Sequence, residues 1–208
     1  MEREQRRTQV LEYAQRIFAR KGFHDTNVAD IIAEAGIARG TFYLYFENKR
    51  ELFETLLDQA LGDIETRILR VRRGPGQPPA IAQVRANLQR VFEYMLAHSE
   101  LLDILLHHAS GFDPVLDEKL AQFSARLTAD IERALSLGVD MGLVRPGNLS
   151  VAALCILGAV REVIASAVRT SPGNEPRRAP AVDELVESVL AVGLRGVATA
   201  RLLAGEEG

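Results

Sequence analysis

The chain is 208 residues long, 47% apolar and 25% charged, with a formal charge of −3. That composition belongs to a soluble globular protein with a real core and excludes wholesale disorder, a collagen-like chain and a disulfide scaffold. One cysteine, Cys155, permits no internal disulfide, and bulk charge alone gives no hint of a nucleic-acid partner.

The N-terminus, MEREQRRTQV, enters a charged helical pattern directly, without the apolar stretch of a secretory signal. Val10, Ala14, Ile17 and Phe18 fall at i, i+4, i+7 and i+8, the spacing of a buried helical stripe, and Gly22 comes next as a C-terminal cap. Arg3, Arg6 and Arg7 form a basic N-terminal arm ahead of that stripe. Val28, Ile31, Ile32 and Ala35 predict a second, shorter helix, capped at Thr26 or Asn27 and closed by Gly36. A third runs from Ala38 to about Tyr45. A fourth starts near Asn48, continues to Val71 and carries Leu52, Phe53, Leu56, Leu57, Leu61, Ile64 and Ile68 as its stripe.

Arg72 to Pro79 (RRGPGQPP) cannot continue a helix. Beyond it, helical spacing recurs over 80–98, 99–109, 113–138, 148–170 and 182–203, about nine helices in all. Asp113-Pro114 and Asn148 read as helix starts, and Ser171 to Pro180 as a loop. Strand signals are almost absent, so the fold class is all-α. Three short helices bury little alone. They predict a small tri-helical head, residues 1–47, on a larger helical body, residues 48–208, with helix 48–71 as connector.

Helix, glycine-containing turn and helix within TNVADIIAEAGIARGTFYLYFENKR have the form of a helix-turn-helix, whose second helix can enter the major groove of DNA. Phe42 and Phe46, four apart, anchor the third helix inward. Arg39 and Tyr43 share another face, and Thr41 and Tyr45 extend it. Gly40 has no side chain, so the backbone can approach base edges. Arg39 suits guanine O6 and N7, Thr41 a base edge or thymine methyl, and Tyr43 and Tyr45 the phosphates. Asn27 and Lys49, at the starts of the second and fourth helices, complete the candidate DNA contacts as phosphate clamps. The same residues have plainer readings: Tyr43 and Tyr45 as packing, Arg39 as a solvated charge. Residues 1–50 hold nine basic and seven acidic side chains, and the remainder sixteen and twenty-one. That polarity suits a head that meets DNA and a body that does not.

The stretch GFHDTNVADIIAEAGIARGTFYLYFENKRELF resembles the DNA-binding head of TetR-family (tetracycline-repressor-like) bacterial transcription regulators. From Val10 to Leu57 it keeps the spacing G-[FY]-x-x-T, I-x-x-x-A-G and G-T-F-Y-x-Y-F-x-x-K-x-x-L without gaps. Asn27 stands where threonine or serine is common, and Ala38 where serine is frequent. The resemblance implies an all-helical homodimer that binds a double-stranded DNA operator, holds a small effector in the body and pairs through its last two long helices.

The body fits those expectations. An apolar pocket with a few polar groups is the usual small-molecule site, and Phe92, Tyr94, Met95, Leu102, His107, Phe123 and Arg126 are the effector candidates. Arg126 has a helix-surface ion pair as its alternative. Leu154, Leu157 and Arg161 of the 148–170 helix, with Leu190 and Leu194 of the last helix, are the expected dimer interface, against burial within one subunit. A helix as apolar as 149–168 must be buried on most sides. Arg161 and Glu162 interrupt it as a membrane span. Cys155 reads as a buried, inert thiol. No metal site is expected from His98, His107 and His108, whose spacing is loose, and no cofactor. Enzyme motifs such as G-x-S-x-G, Walker A and H-E-x-x-H are absent. The expected protein is a cytoplasmic regulator, most simply a repressor released from a pseudo-palindromic operator by an apolar or amphipathic ligand. The alternative is a protein of the same fold controlled by a protein partner.

Overall fold

The computed structural model describes residues 2–98, 114–168 and 181–198. The expected helix over 99–109, the effector candidates Leu102 and His107, Asp113 and the loop 171–180 lie outside them, as does the side chain of Leu194. Among the described residues there are eight helices and no strand: α1 (Glu2–Asp25), α2 (Val28–Ala35), α3 (Arg39–Tyr45), α4 (Lys49–Arg67), α5 (Ala80–Ala97), α6 (Pro114–Asp140), α7 (Leu149–Val168) and α8 (Val182–Val197). The chain divides into two compact units, residues 1–63 with 98–118, and residues 64–97 with 119–208.

In the first unit, α1 buries Val10, Leu11, Ala14, Ile17 and Phe18 along one face. Its regular course is interrupted at Gly22 (φ 80, ψ 162), a backbone state that other residues reach only with strain. Thr26, fully buried, donates its hydroxyl to the Gly22 carbonyl at 2.7 Å. The cap of α2 is therefore Asn27. Its Oδ1 accepts from the Asp30 amide at 2.9 Å while the Asp30 carboxylate accepts from the Asn27 amide at 3.1 Å. Gly36 (φ 61, ψ 33) ends α2 in the left-handed region, and the Ile37 amide closes back on the Ile32 carbonyl at 3.2 Å. Asn48 caps α4 through the Glu51 amide at 2.9 Å. Leu52, Phe53, Leu56, Leu57, Ala60 and Leu61 of α4 are buried, which is why the compact unit reaches Asp63 rather than ending at residue 47.

Arg3, Arg6 and Arg7 are not a separate arm. They lie in the first turns of α1, where Arg6 bonds Gln9 at 2.8 Å and the Arg7 guanidinium stands 5.2 Å over the Phe46 ring.

In the second unit, α5 packs against α7 and α8, and α7 against α8. A cluster of Leu135, Val144 and Ala153, extended by Ile131, Val139, Leu149, Ile156 and Val197, joins α6, α7 and α8. The turn after α6 is pinned to the end of α8. Arg145 donates its amide to the Val197 carbonyl at 2.8 Å and its guanidinium to the Gly196 carbonyl at 2.6 Å. As expected, Asn148 caps α7, accepting from the Val151 amide at 3.1 Å.

The connector α4 is shorter than its periodicity predicts. It ends at Arg67, about 28 Å from its start at 1.5 Å per residue, not at Val71. The reason is tertiary. Asn87 accepts from the Leu69 amide at 2.9 Å and donates to the Leu69 carbonyl at 2.7 Å; Gln83 does the same to Arg72, at 2.9 and 2.8 Å. The Arg90 guanidinium bonds the Arg67 carbonyl at 2.9 Å. Residues 83, 87 and 90 share one face of α5. Two side-chain amides thus take the place of a helical ladder and hold the segment unwound.

Three expectations about the body change. Leu190 is buried inside the protomer, which leaves little of it for a partner to cover. Cys155 is exposed, not buried. And α7 is far from enclosed by its own chain: across Leu149–Ala167, of mean hydropathy 1.8, Val151 and Leu154 stand 52% and 58% exposed. Leu157 is half-buried and Arg161 exposed.

Candidate nucleic-acid interface

The helix α3 has seven residues, too few to be stable alone, and its N-cap, Ala38, offers no side-chain acceptor. Packing holds it. Phe42 and Phe46 are almost wholly buried, their ring centroids 6.0 Å apart. Their burial dictates the outward face. Arg39 and Gly40 are exposed, Tyr43 is 45% exposed, and Thr41 and Tyr45 are half-buried. The Arg39 guanidinium lies 5.7 Å from the Tyr43 ring centroid, so these two form one cationic–aromatic stripe, as their spacing predicts.

Gly40 is informative for what it does not touch. A Cβ built there meets no atom within 4 Å, and its backbone is not in the left-handed region. Nothing inside the protomer requires glycine at this position.

Asn27 stands exposed at the start of α2, where the first amides of a helix lack intrahelical acceptors. The neighbouring Asp30 carboxyl is held below the usual carboxylate range, chiefly by the Asn27 amide and then by Lys21, 3.2 Å away.

Lys49 departs from its expected part. Its ammonium donates to the carbonyls of Phe23 (2.5 Å), Thr26 (2.6 Å) and His24 (3.3 Å), and sits 4.3 Å over the Phe23 ring. Its three hydrogens all serve the end of α1 and the turn after it, and burial pushes its pKa down. Lys49 is a tie between α4 and the α1–α2 turn rather than an outward phosphate clamp. It also closes one side of a ring cluster in which Phe23 lies 5.7 Å from Phe18 and 4.7 Å from Phe53. Hydrogen bonds from a charged donor contribute about 1.5–3 kcal/mol. Lys49→Met should therefore cost about 2 kcal/mol of stability. A urea melt of the variant with an unchanged midpoint would contradict this tie.

Sequence reasoning also missed Leu44, which is 60% exposed. It is two residues from Phe42 and two from Phe46, about 200° around the helix from each, so it marks the outermost line of α3. That spacing was available in the sequence.

Two effector candidates in the second unit serve another end. Arg126 pairs with Glu65 at 2.7 Å, and Tyr94, buried, lies under the Arg67 guanidinium at 3.9 Å. Both grip the last turn of α4. Phe92 and Phe123 are buried and Met95 half-buried.

Residues 10–56 match the family described as bacterial regulatory proteins, tetR family. The chain is 30% identical over 151 residues to the HTH-type transcriptional regulator TtgR of Pseudomonas putida, covering 71% of this chain and 70% of that one. The chain belongs to the TetR family. It is a DNA-binding transcriptional regulator; its relatives are regulators, not enzymes. Solved structures share its fold. SmeT, solved as a triclosan complex, superposes with a TM-score of 0.71 at 22% identity, covering 94% of this chain and 92% of that one. AibR, solved with isovaleryl coenzyme A and operator DNA, gives 0.70 at 19% identity, covering 90% and 97%. In this TetR-family head, α2, the Gly36 turn and α3 are the helix-turn-helix, and α3 is its second helix.

Proposed function

We propose that this TetR-family protein is a homodimeric repressor, released from a pseudo-palindromic operator by a small apolar or amphipathic ligand bound in the second unit. The observation that carries the DNA reading is α3 itself. Two buried phenylalanines hold it from behind, and its outer face offers an arginine beside a glycine that the fold does not need. Arg39 and Thr41 reach base edges, Tyr43 and Tyr45 the phosphates, and Asn27 lies at a helix start suited to another phosphate. AibR, a fold neighbour, was solved on operator DNA, which agrees with this use of the head.

The dimer is inferred from the apolar surface that α7 and α8 leave uncovered. Val151 and Leu154 on α7 and Val192 on α8, the last 72% exposed, are large apolar side chains whose burial a second copy would complete. Leu154, Leu157 and Arg161 of α7 are the contact residues, without Leu190. A two-fold dimer spaces its recognition helices by about 34–36 Å, one turn of DNA, hence the pseudo-palindrome.

Phe92, Met95 and Phe123 remain the apolar candidates for the ligand site, and the SmeT–triclosan complex shows a fold neighbour holding an apolar aromatic. The ligand acts through the last turn of α4, which Arg126, Tyr94 and Arg90 grip. The helix α4 is continuous from Lys49 to Arg67, so a shift imposed at Arg67 reaches Lys49. A preference of roughly 1–3 kcal/mol for the shifted state weakens DNA binding 5- to 150-fold. Protein of this class works where the chromosome is, in the cytoplasm.

The decisive experiment selects a duplex from a random pool and measures two variants against it. Losing a bidentate guanine contact costs about 1–3 kcal/mol, so Arg39→Ala should bind roughly 5- to 150-fold more weakly. Gly40→Ala should lose affinity while melting no lower than wild type, because alanine favours a helix by about 0.5–1 kcal/mol over glycine. Unchanged affinity in both would overturn the reading.

A further inference from the structure

We propose that Leu44 reads a thymine methyl group, and so sets part of the operator sequence. The inference rests on the DNA reading above and specifies what the outermost line of α3 meets there.

Among the described residues of the first unit, Leu44 is the most exposed large apolar side chain. It stands largely in solvent, while Phe42 and Phe46, on the opposite side of the helix, anchor α3. One turn earlier on the same line stands Gly40, with open space where a Cβ would be. The two together make a shallow apolar notch with the leucine at one end. Arg39 and Tyr43 flank it on one side, Thr41 and Tyr45 on the other.

An aliphatic side chain has few reasons to stand at this apex. It cannot bond a phosphate or the polar edge of a base. In the major groove the apolar feature of the four bases is the C5-methyl of thymine, which aliphatic side chains contact. Arginine supplies polar reading beside it, so a guanine adjacent to a thymine is the pattern that this face complements.

The test uses a duplex selected from a random pool by the full-length protein. Each thymine is replaced singly by deoxyuridine, which removes the methyl and keeps every hydrogen-bonding group. Burying one such carbon is worth about 0.8 kcal/mol, or about fourfold in affinity. Wild type should lose about fourfold at one thymine in each half-site. Leu44→Ala should bind the thymine duplex more weakly and be indifferent to that same replacement. Because Leu44 is exposed, the variant should melt as wild type does, so the effect is not one of folding. A uracil penalty that persists undiminished in Leu44→Ala, or no sensitive thymine at all, overturns the proposal. Failure of the pool to yield any enriched duplex instead removes the DNA reading on which it stands.

Discussion

Leu154→Glu should convert the dimer into monomers and abolish tight operator binding. Leu154 is 58% exposed in the protomer, beside Val151 at 52%, on a helix of which its own chain covers little. Two-fold symmetry presents every substitution twice, so one exchange buries two carboxylates. An unpaired ion taken out of water costs several kcal/mol even after relaxation. The dimer dissociation constant should rise by at least about 100-fold, corresponding to ~3 kcal/mol. Sedimentation at micromolar concentration reads the mass directly, and circular dichroism checks that the exposed site tolerates the change. A variant that sediments as a dimer would place the interface elsewhere. Operator binding should fall with the dimer, since one head alone meets one half-site.

Phe42→Ala should unfold the DNA-binding head while leaving the second unit intact. Phe42 is fully buried and packs on Phe46 and Tyr43 at centroid distances of 6.0 and 5.2 Å. Truncating a buried phenylalanine costs about 3–5 kcal/mol. A seven-residue helix depends on its packing, and without Phe42 only Phe46 anchors it, so α3 would lose its orientation against its partner α2. The expected record is a thermal melt with an early transition from the head and a later one near the wild-type midpoint. DNA binding should be lost below the early transition's end. A single transition at the wild-type temperature would show that the aromatic anchor is dispensable.

The head is legible in its sequence because its controls are local. The Asn27–Asp30 capping box, the left-handed Gly36 and the four-residue spacing of Phe42 and Phe46 act within a few residues of themselves, and each leaves a mark in the string of letters. The role of Lys49 leaves none: its acceptors are backbone carbonyls 23 to 26 residues away, and any residue type supplies a carbonyl. The end of α4 is hidden for the same reason. No glycine or proline occurs between Arg67 and Gly74, and the helix stops because amides of α5 take hold of its continuation. Apolar patterning showed that α7 wants cover but not whose. It could not separate Leu190, buried within the protomer, from Leu154, which is left outside, and for the same reason it placed Cys155 in the interior. Tyr94 reads as a polar group in an apolar neighbourhood and Arg126 as an effector contact or a helix-surface ion pair, yet their partners on α4 come from tertiary structure alone.

The paired amides of Gln83 and Asn87 grip main-chain atoms of Arg72 and Leu69, never their side chains. The held stretch is consequently free to drift in identity over generations, provided proline stays away from positions 69 and 72, where it would strip the donor. The burden of inheritance falls on the holder: a lineage can rewrite the segment beyond the connector at little cost, but it must retain two carboxamides one helical turn apart.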